Sequence, residues 1–186
     1  LLKVGFKNYK EMIRNEYDYI LKVAEFGDGV IPEVVDFSEG KDFARIETIF
    51  YAGIHPESLP ESINHFFERI IVESPKVKLV DHPYVKKIIQ KINDILKKEQ
   101  LIVLLSTVNE YMKKYETVLV PVVLMHADCS KTNVISRNDR DVLIDWEDCI
   151  HDGIPIDIGY FKFRMQIDNE KKWKIENEID FLVVLH

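Results

Sequence analysis

Asp128, Asn133 and Asp145 are the residues of this 186-residue chain whose types and spacing point most directly to chemistry. Asp128 closes the triplet His126-Ala127-Asp128, Asn133 follows five residues later, and Asp145 ends the apolar run Val142-Leu143-Ile144. A carboxylate in such a place can act as a general base. An amide oxygen and a second carboxylate can share a Mg²⁺ ion, which takes few protein oxygens and fills its shell with waters and phosphates. The spacing also predicts a geometry. Val134-Ile135-Ser136 and Val142-Leu143-Ile144 are short β-prone runs, and the polar stretch 137–141 between them predicts a β-hairpin. A turn centred on Asp139 pairs Ile135 with Leu143 and sets Asn133 opposite Asp145. Directly opposed residues have Cβ atoms roughly 4.5–5.5 Å apart, close enough to share one ion.

The elements that must position these residues are legible in the hydrophobic pattern. Leu1-Leu2-Lys3-Val4 is strand-like and carries one lysine. Residues 8–26 follow with apolar positions at Tyr9, Met12, Ile13, Tyr17, Ile20, Leu21 and Ala24, the spacing of a helix. Glu16 falls on the same face as Tyr9, Ile13 and Ile20. A carboxylate on a core-facing stripe is costly unless paired, and Lys3 is the evident partner. Three amphipathic helices are expected over 61–73, 84–98 and 100–115, and a fourth over 166–185 with Trp173 and Phe181 as anchors. Pro56, Pro60, Pro75 and Pro83 punctuate the approach to this helical region.

His-x-Asp-x-x-x-x-Asn followed by Ile144-Asp145-Trp146-Glu147 resembles the catalytic segment of the aminoglycoside phosphotransferase and choline kinase superfamily. Its members are distant relatives of the protein kinases, whose catalytic loop has the same Asp-to-Asn spacing. The resemblance implies that Asp128 is the catalytic base, that Asn133 and Asp145 hold Mg²⁺, and that His126 braces the loop. It extends to Gly153-Ile154-Pro155-Ile156-Asp157, where the last Asp is structural in the family. Ala127 stands where the family usually has glycine, and Cys129 replaces a larger apolar residue. The resemblance also implies that Lys3 pairs with Glu16 and holds the nucleotide's α- and β-phosphates. Residues 45–50 resemble the strand that runs into the hinge, where backbone groups bind adenine, and Glu47 resembles the acidic residue that opens it. The Gly-rich loop that covers the phosphates in that family precedes the Lys strand. With the lysine at position 3, the expectation is an N-terminal lobe lacking that loop.

The fold expectation is therefore α+β and protein kinase-like. A small, truncated β-rich lobe covers residues 1–50, and a mostly helical lobe with the catalytic hairpin covers 51–186. The expected function is ATP-dependent transfer, with GTP as a possible donor and Mg²⁺ as cofactor, to a hydroxyl of a small molecule. Aminoglycosides, choline, amino alcohols and sugars all fit. The competing reading is a weak or inactive kinase-like fragment serving as a binding module. A metal-dependent hydrolase would want a second histidine at metal-ligand spacing, such as His-x-x-x-His, which is missing. An aspartyl-phosphate phosphatase would want Asp-x-Asp after the strand, where this chain has Asp145-Trp146-Glu147.

Composition narrows the partners. A net charge of −7 argues against nucleic acid, whose phosphates call for a basic face. Clusters such as Lys97-Lys98 and Lys113-Lys114 lie on expected helices and read as solvated faces. Cys129 and Cys149 form no CxxC pair, which fits a reduced, cytoplasmic setting and small buried side chains. The longest apolar run, residues 118–125, is too short to span a membrane. No pattern bears on oligomeric state.

Overall fold

The computed structural model describes residues 1–26, 29–99 and 101–169. The architecture is mixed α+β. The first strand, β1 (Leu2–Phe6), leads through a 3-10 turn into helix α1 (Lys10–Ala24). Strands β2 (Val34–Glu39) and β3 (Phe43–Thr48) follow, and the three strands form one antiparallel sheet in the order β1-β3-β2. α1 packs on this sheet, mostly against β3. The face it buries carries Ile13, Glu16, Tyr19, Ile20 and Val23. Ile13, Glu16 and Ile20 stand where the periodicity placed them. Tyr9 does not: it lies in the 3-10 turn before the helix and is 66% exposed. Leu21 is also largely exposed, because the buried stripe is completed by Tyr19 and Val23 instead.

The remaining elements are α2 (Glu61–Glu73), β4 (Lys76–Lys78), α3 (Pro83–Lys98), α4 (Ile102–Lys114), β5 (Leu119–Pro121), β6 (Val123–Met125), β7 (Val134–Ser136), β8 (Asp141–Leu143), β9 (Ile150–Gly153) and α5 (Asp157–Asn169). The strands pair as three small antiparallel ribbons, β4-β5, β6-β9 and β7-β8. α2 is the helix at the core of this part. Its Ile63, Phe66, Phe67 and Ile70 are buried at the i, i+3, i+4, i+7 spacing of one face. Phe66 meets Trp146 edge to face at 6.2 Å. α3 and α4 pack on each other and carry no fully buried residue. The helix expected over 166–185 overlaps only the end of α5; its anchors Trp173 and Phe181 lie outside the described residues. Among the described residues no helix is long and apolar enough to cross a membrane.

The hairpin forms where expected but one register step away. Val134 pairs with Leu143, Ile135 with Val142 and Ser136 with Asp141. The turn is therefore residues 137–140, closed by the Arg137 N–H donating to Arg140 O at 2.9 Å. Asn133 consequently faces Ile144, whose N–H donates to Asn133 O at 2.8 Å. It does not stand opposite Asp145. The cause is loop length: an even-numbered turn centres between residues rather than on Asp139, and one step changes every partner.

Candidate functional site

His126 begins the loop between β6 and β7 and is fully buried. Its Nδ1 accepts from the Asp128 N–H at 3.3 Å, so Nε2 carries the ring proton and donates to Ile144 O at 2.9 Å. The ring thus ties the loop before β7 to the chain leaving β8. Trp146 stands 4.6 Å from it, edge on, with its Nε1 donating to Leu143 O. Burial holds His126 neutral, its pKa lowered to about 4. A neutral ring is what this network needs, because one nitrogen must accept.

Asp157 opens α5 and clamps the same loop. Its two carboxylate oxygens accept the backbone N–H groups of His126 and Ala127 at 2.9 and 3.0 Å. Burial pushes its pKa up to about 7, against the pull of those two donors. The clamped residue Ala127 has φ +69°, in the left-handed region where the Cβ of an L-residue is strained. Glycine relieves that strain but loses more backbone freedom on folding, so Ala127→Gly is expected to stabilise the chain by about 0.5–1 kcal/mol. Thermal denaturation reads this; a lowered midpoint would show that the methyl group matters more than the strain.

The two buried groups oppose each other as pH changes. His126 has a lowered folded pKa, so its contribution to stability is present above about pH 6.5 and is lost as pH falls toward 4. Asp157 has a raised folded pKa, so its contribution is present near pH 4 and is lost as pH rises toward 7. Asp157→Asn removes the second slope and leaves the first. The variant is expected to lose stability more steeply than the wild type between pH 6.5 and 4.5. Urea midpoints at the two pH values measure this, and equal slopes would contradict it.

Asp128 follows the strained residue. Asn133 Nδ2 donates to its backbone oxygen and to Oδ2, both at 2.9 Å, and the Tyr160 hydroxyl donates to Oδ1 at 3.2 Å. The carboxylate is held from both sides. Asn133 is buried beneath it, and its amide nitrogen is committed to Asp128.

Lys3 and Asp145 come together across almost the whole chain. Lys3 Nζ donates to Glu16 Oε1 at 2.9 Å and to Asp145 Oδ1 at 2.6 Å, with Glu147 Oε2 at 3.8 Å. Burial alone would lower the Lys3 pKa, yet the hydrogen bond to Asp145 and the Glu16 charge raise it above its ordinary value. Burial raises Glu16 against the pull of Lys3, and the Asp145 and Glu147 charges add to the rise. Three carboxylates thus share one ammonium, and the buried Glu16 Oε2 has no hydrogen-bond partner. Asp145 itself has φ +65°. Among the described residues no group of three or more His, Cys, Asp or Glu forms a metal-binding cluster. Asn133 turns its amide to Asp128, and Asp145 gives Oδ1 to Lys3.

Beside Lys3 opens a cleft of about 220 Å³. Pro32, Ile46, Ile49 and Tyr51 line it from the sheet side, and Ile135 and Ile144 from the hairpin side, with Lys3, Glu16 and Asp145 also on its wall. Glu47 does not face it. β3 buries Ala44 and Ile46 and turns Phe43, Arg45 and Glu47 outward, so the pleat sends Glu47 to solvent and Thr48 to the cleft. The backbone of Glu47 is also enclosed, since β3 is the central strand and pairs on both sides. Gly53 lies close by, where a Cβ would stand 2.5 Å from Ser136 O. Only glycine lets the chain after β3 approach the hairpin this closely.

Sequence reasoning passed over four residues here. Tyr160 sits three residues into α5 after Asp157, one helical turn on, and that spacing was a usable signal. Glu147 was visible as the second acid of Asp145-Trp146-Glu147. Tyr51 and Arg140, which meet at 3.1 Å, are 89 residues apart and share no pattern. No protein-family model matches the chain, and no curated protein sequence matches it.

Proposed function

We propose that this chain is an ATP-dependent phosphotransferase acting on a hydroxyl group of a small molecule. In this reading it has a two-lobe, protein kinase-like fold, with residues 1–50 as the smaller lobe. The observation that carries the reading is the Lys3 ammonium, held by Glu16 on α1 and by Asp145 beyond β8 at the wall of an apolar cleft. A fixed cation beside a slot lined with Ile46, Ile135 and Ile144 suits a purine nucleotide: the base takes the apolar walls and the phosphates take the charge. ATP and GTP share that chemistry.

Each side chain then has a task. Lys3, braced by Glu16, binds the α- and β-phosphates. Asn133 and Asp145 would supply protein oxygens to Mg²⁺, whose charge would offset that of the phosphates. Asp128 orients the acceptor hydroxyl and receives its proton on Oδ1, the oxygen that Tyr160 now occupies. His126 and Asp157 keep the loop carrying Asp128 in shape. Catalysis of this kind is mostly positioning and electrostatics. The acceptor is a hydroxyl compound of the aminoglycoside, choline, amino alcohol or sugar type.

Calorimetric titration of Mg²⁺-ATP into the chain, followed by an acceptor screen for ADP release, tests the reading. Binding followed by transfer supports it. Binding without any hydrolysis or transfer would leave a nucleotide-binding module without turnover. No binding in the presence of Mg²⁺ would overturn the nucleotide site itself.

A further inference from the structure

Tyr51 lies just after β3, lines the cleft and is 6% exposed. Its hydroxyl accepts from the Glu33 N–H at 3.0 Å and from Arg140 Nη2 at 3.1 Å. Arg140 comes from the turn of the β7-β8 hairpin. Its guanidinium carbon stands 4.8 Å from the Tyr51 ring centroid, and Nη2 also donates to Ile31 O at 3.4 Å. One side chain therefore joins three segments: the approach to β2, the exit of β3 and the hairpin turn.

These segments carry the two walls of the cleft. Pro32 and Ile46 belong to the sheet side, Ile135 and Ile144 to the hairpin side. Backbone bonds stitch the same region. Ile49 donates to Glu33 O at 2.9 Å and Leu143 to Val30 O at 2.7 Å, while Ile54 and Ser136 exchange bonds of 3.0 and 2.8 Å. Arg140 is the side chain that spans from the hairpin turn to both other segments. Its buried Nε has no partner, so a methionine of similar length removes one unsatisfied donor along with the bonds to Tyr51 and Ile31. What the guanidinium adds is direction: a flat face on the ring and a fork of donors, which a lysine cannot copy.

We propose that Arg140 and Tyr51 form a strut that sets the spacing between the two walls of the cleft, which makes Arg140 a positioning residue for the base end of the nucleotide. The inference rests on the phosphotransferase reading. A flat base gains its dispersion contacts only when both walls stand at contact distance, and a small gap forfeits much of them. The strut serves the base and leaves the phosphate end to Lys3 and Asp145.

The test compares three probes on the wild type, Arg140→Met, Arg140→Lys and Tyr51→Phe. Arg140→Met is expected to weaken Mg²⁺-ATP and adenosine by the same factor, roughly tenfold for a lost charged hydrogen bond. Mg²⁺-tripolyphosphate, which has no base, binds it as it binds the wild type. Arg140→Lys does not restore the loss, and Arg140→Met with Tyr51→Phe is no weaker than Arg140→Met alone. Unchanged adenosine affinity, or an equal loss for tripolyphosphate, would overturn the strut. If the wild type binds neither ATP nor adenosine, the phosphotransferase reading fails and amide hydrogen exchange decides the strut by itself. Faster exchange at Ile49, Ile54, Ser136 and Leu143 in Arg140→Met, with α3 unchanged, supports the strut; unchanged exchange there overturns it.

Discussion

Asp128→Asn is expected to lower phosphoryl transfer roughly 10²–10⁴-fold, the range for loss of a positioned general base, while nucleotide binding and fold persist. The reason lies in how the carboxylate is held. Asn133 donates to Oδ2 and Tyr160 to Oδ1. An asparagine keeps an oxygen that can accept one of these bonds, so the loop keeps its shape. The replacement cannot take a proton from an acceptor hydroxyl. The measurement is ADP release with and without hydroxyl acceptors, run beside calorimetry of Mg²⁺-ATP. Turnover at the wild-type rate would remove Asp128 from the reaction. Loss of binding together with turnover would show that the substitution had disturbed the cleft rather than the chemistry.

Asp145→Ala is expected to abolish the Mg²⁺ dependence of nucleotide binding and to weaken Mg²⁺-ATP by at least about 30-fold. That factor corresponds to about 2 kcal/mol, within the roughly 1.5–3 kcal/mol that hydrogen bonds to charged groups contribute. Two effects combine. In the proposed reading the site loses a carboxylate that would hold Mg²⁺, and Lys3 loses its 2.6 Å partner and turns wholly to Glu16 and Glu147. The effect on stability is small by comparison. Lys3 and Asp145 side chains are 27% and 40% exposed, and ion pairs in contact with water contribute about 0–1 kcal/mol. Calorimetry with and without Mg²⁺, beside a thermal melt, separates the two quantities. Equal, metal-dependent binding by the wild type and the variant would place the ion elsewhere.

The elements were legible because their signals are local. The helix at 61–73 carries its apolar residues at one period, and α2 forms over the same residues. Glu16 was readable as a buried carboxylate because its neighbours at 13 and 20 are isoleucines, and burying a charge requires a partner. The hairpin was readable from two apolar runs around a polar turn. Its register was not, because β-prone residues tolerate either alignment and the turn geometry chooses between them. The direction of the Glu47 side chain was out of reach for a related reason: its acidic type matched a pattern, while the pleat of β3 decided which way it points.

By itself, then, the sequence determined the helices α1 to α4, the first strand and the hairpin, but not the short strands β4, β5, β6 and β9 or the start of α5. It also determined that Glu16 needs a cation and that Asp128, Asn133 and Asp145 fall within one short stretch. These follow from periodicity and from the cost of burying charge, which act over a few residues. Tertiary structure alone decided that Lys3 reaches Asp145 across 142 residues, that Asn133 holds Asp128 rather than facing Asp145, and that Tyr160 covers the candidate base. It also brought Arg140 onto Tyr51 at the cleft. Such contacts depend on how the three-stranded sheet, the hairpin and α5 pack together. That packing is set by shape and directed hydrogen bonds between distant segments, for which a chain read in order carries no period.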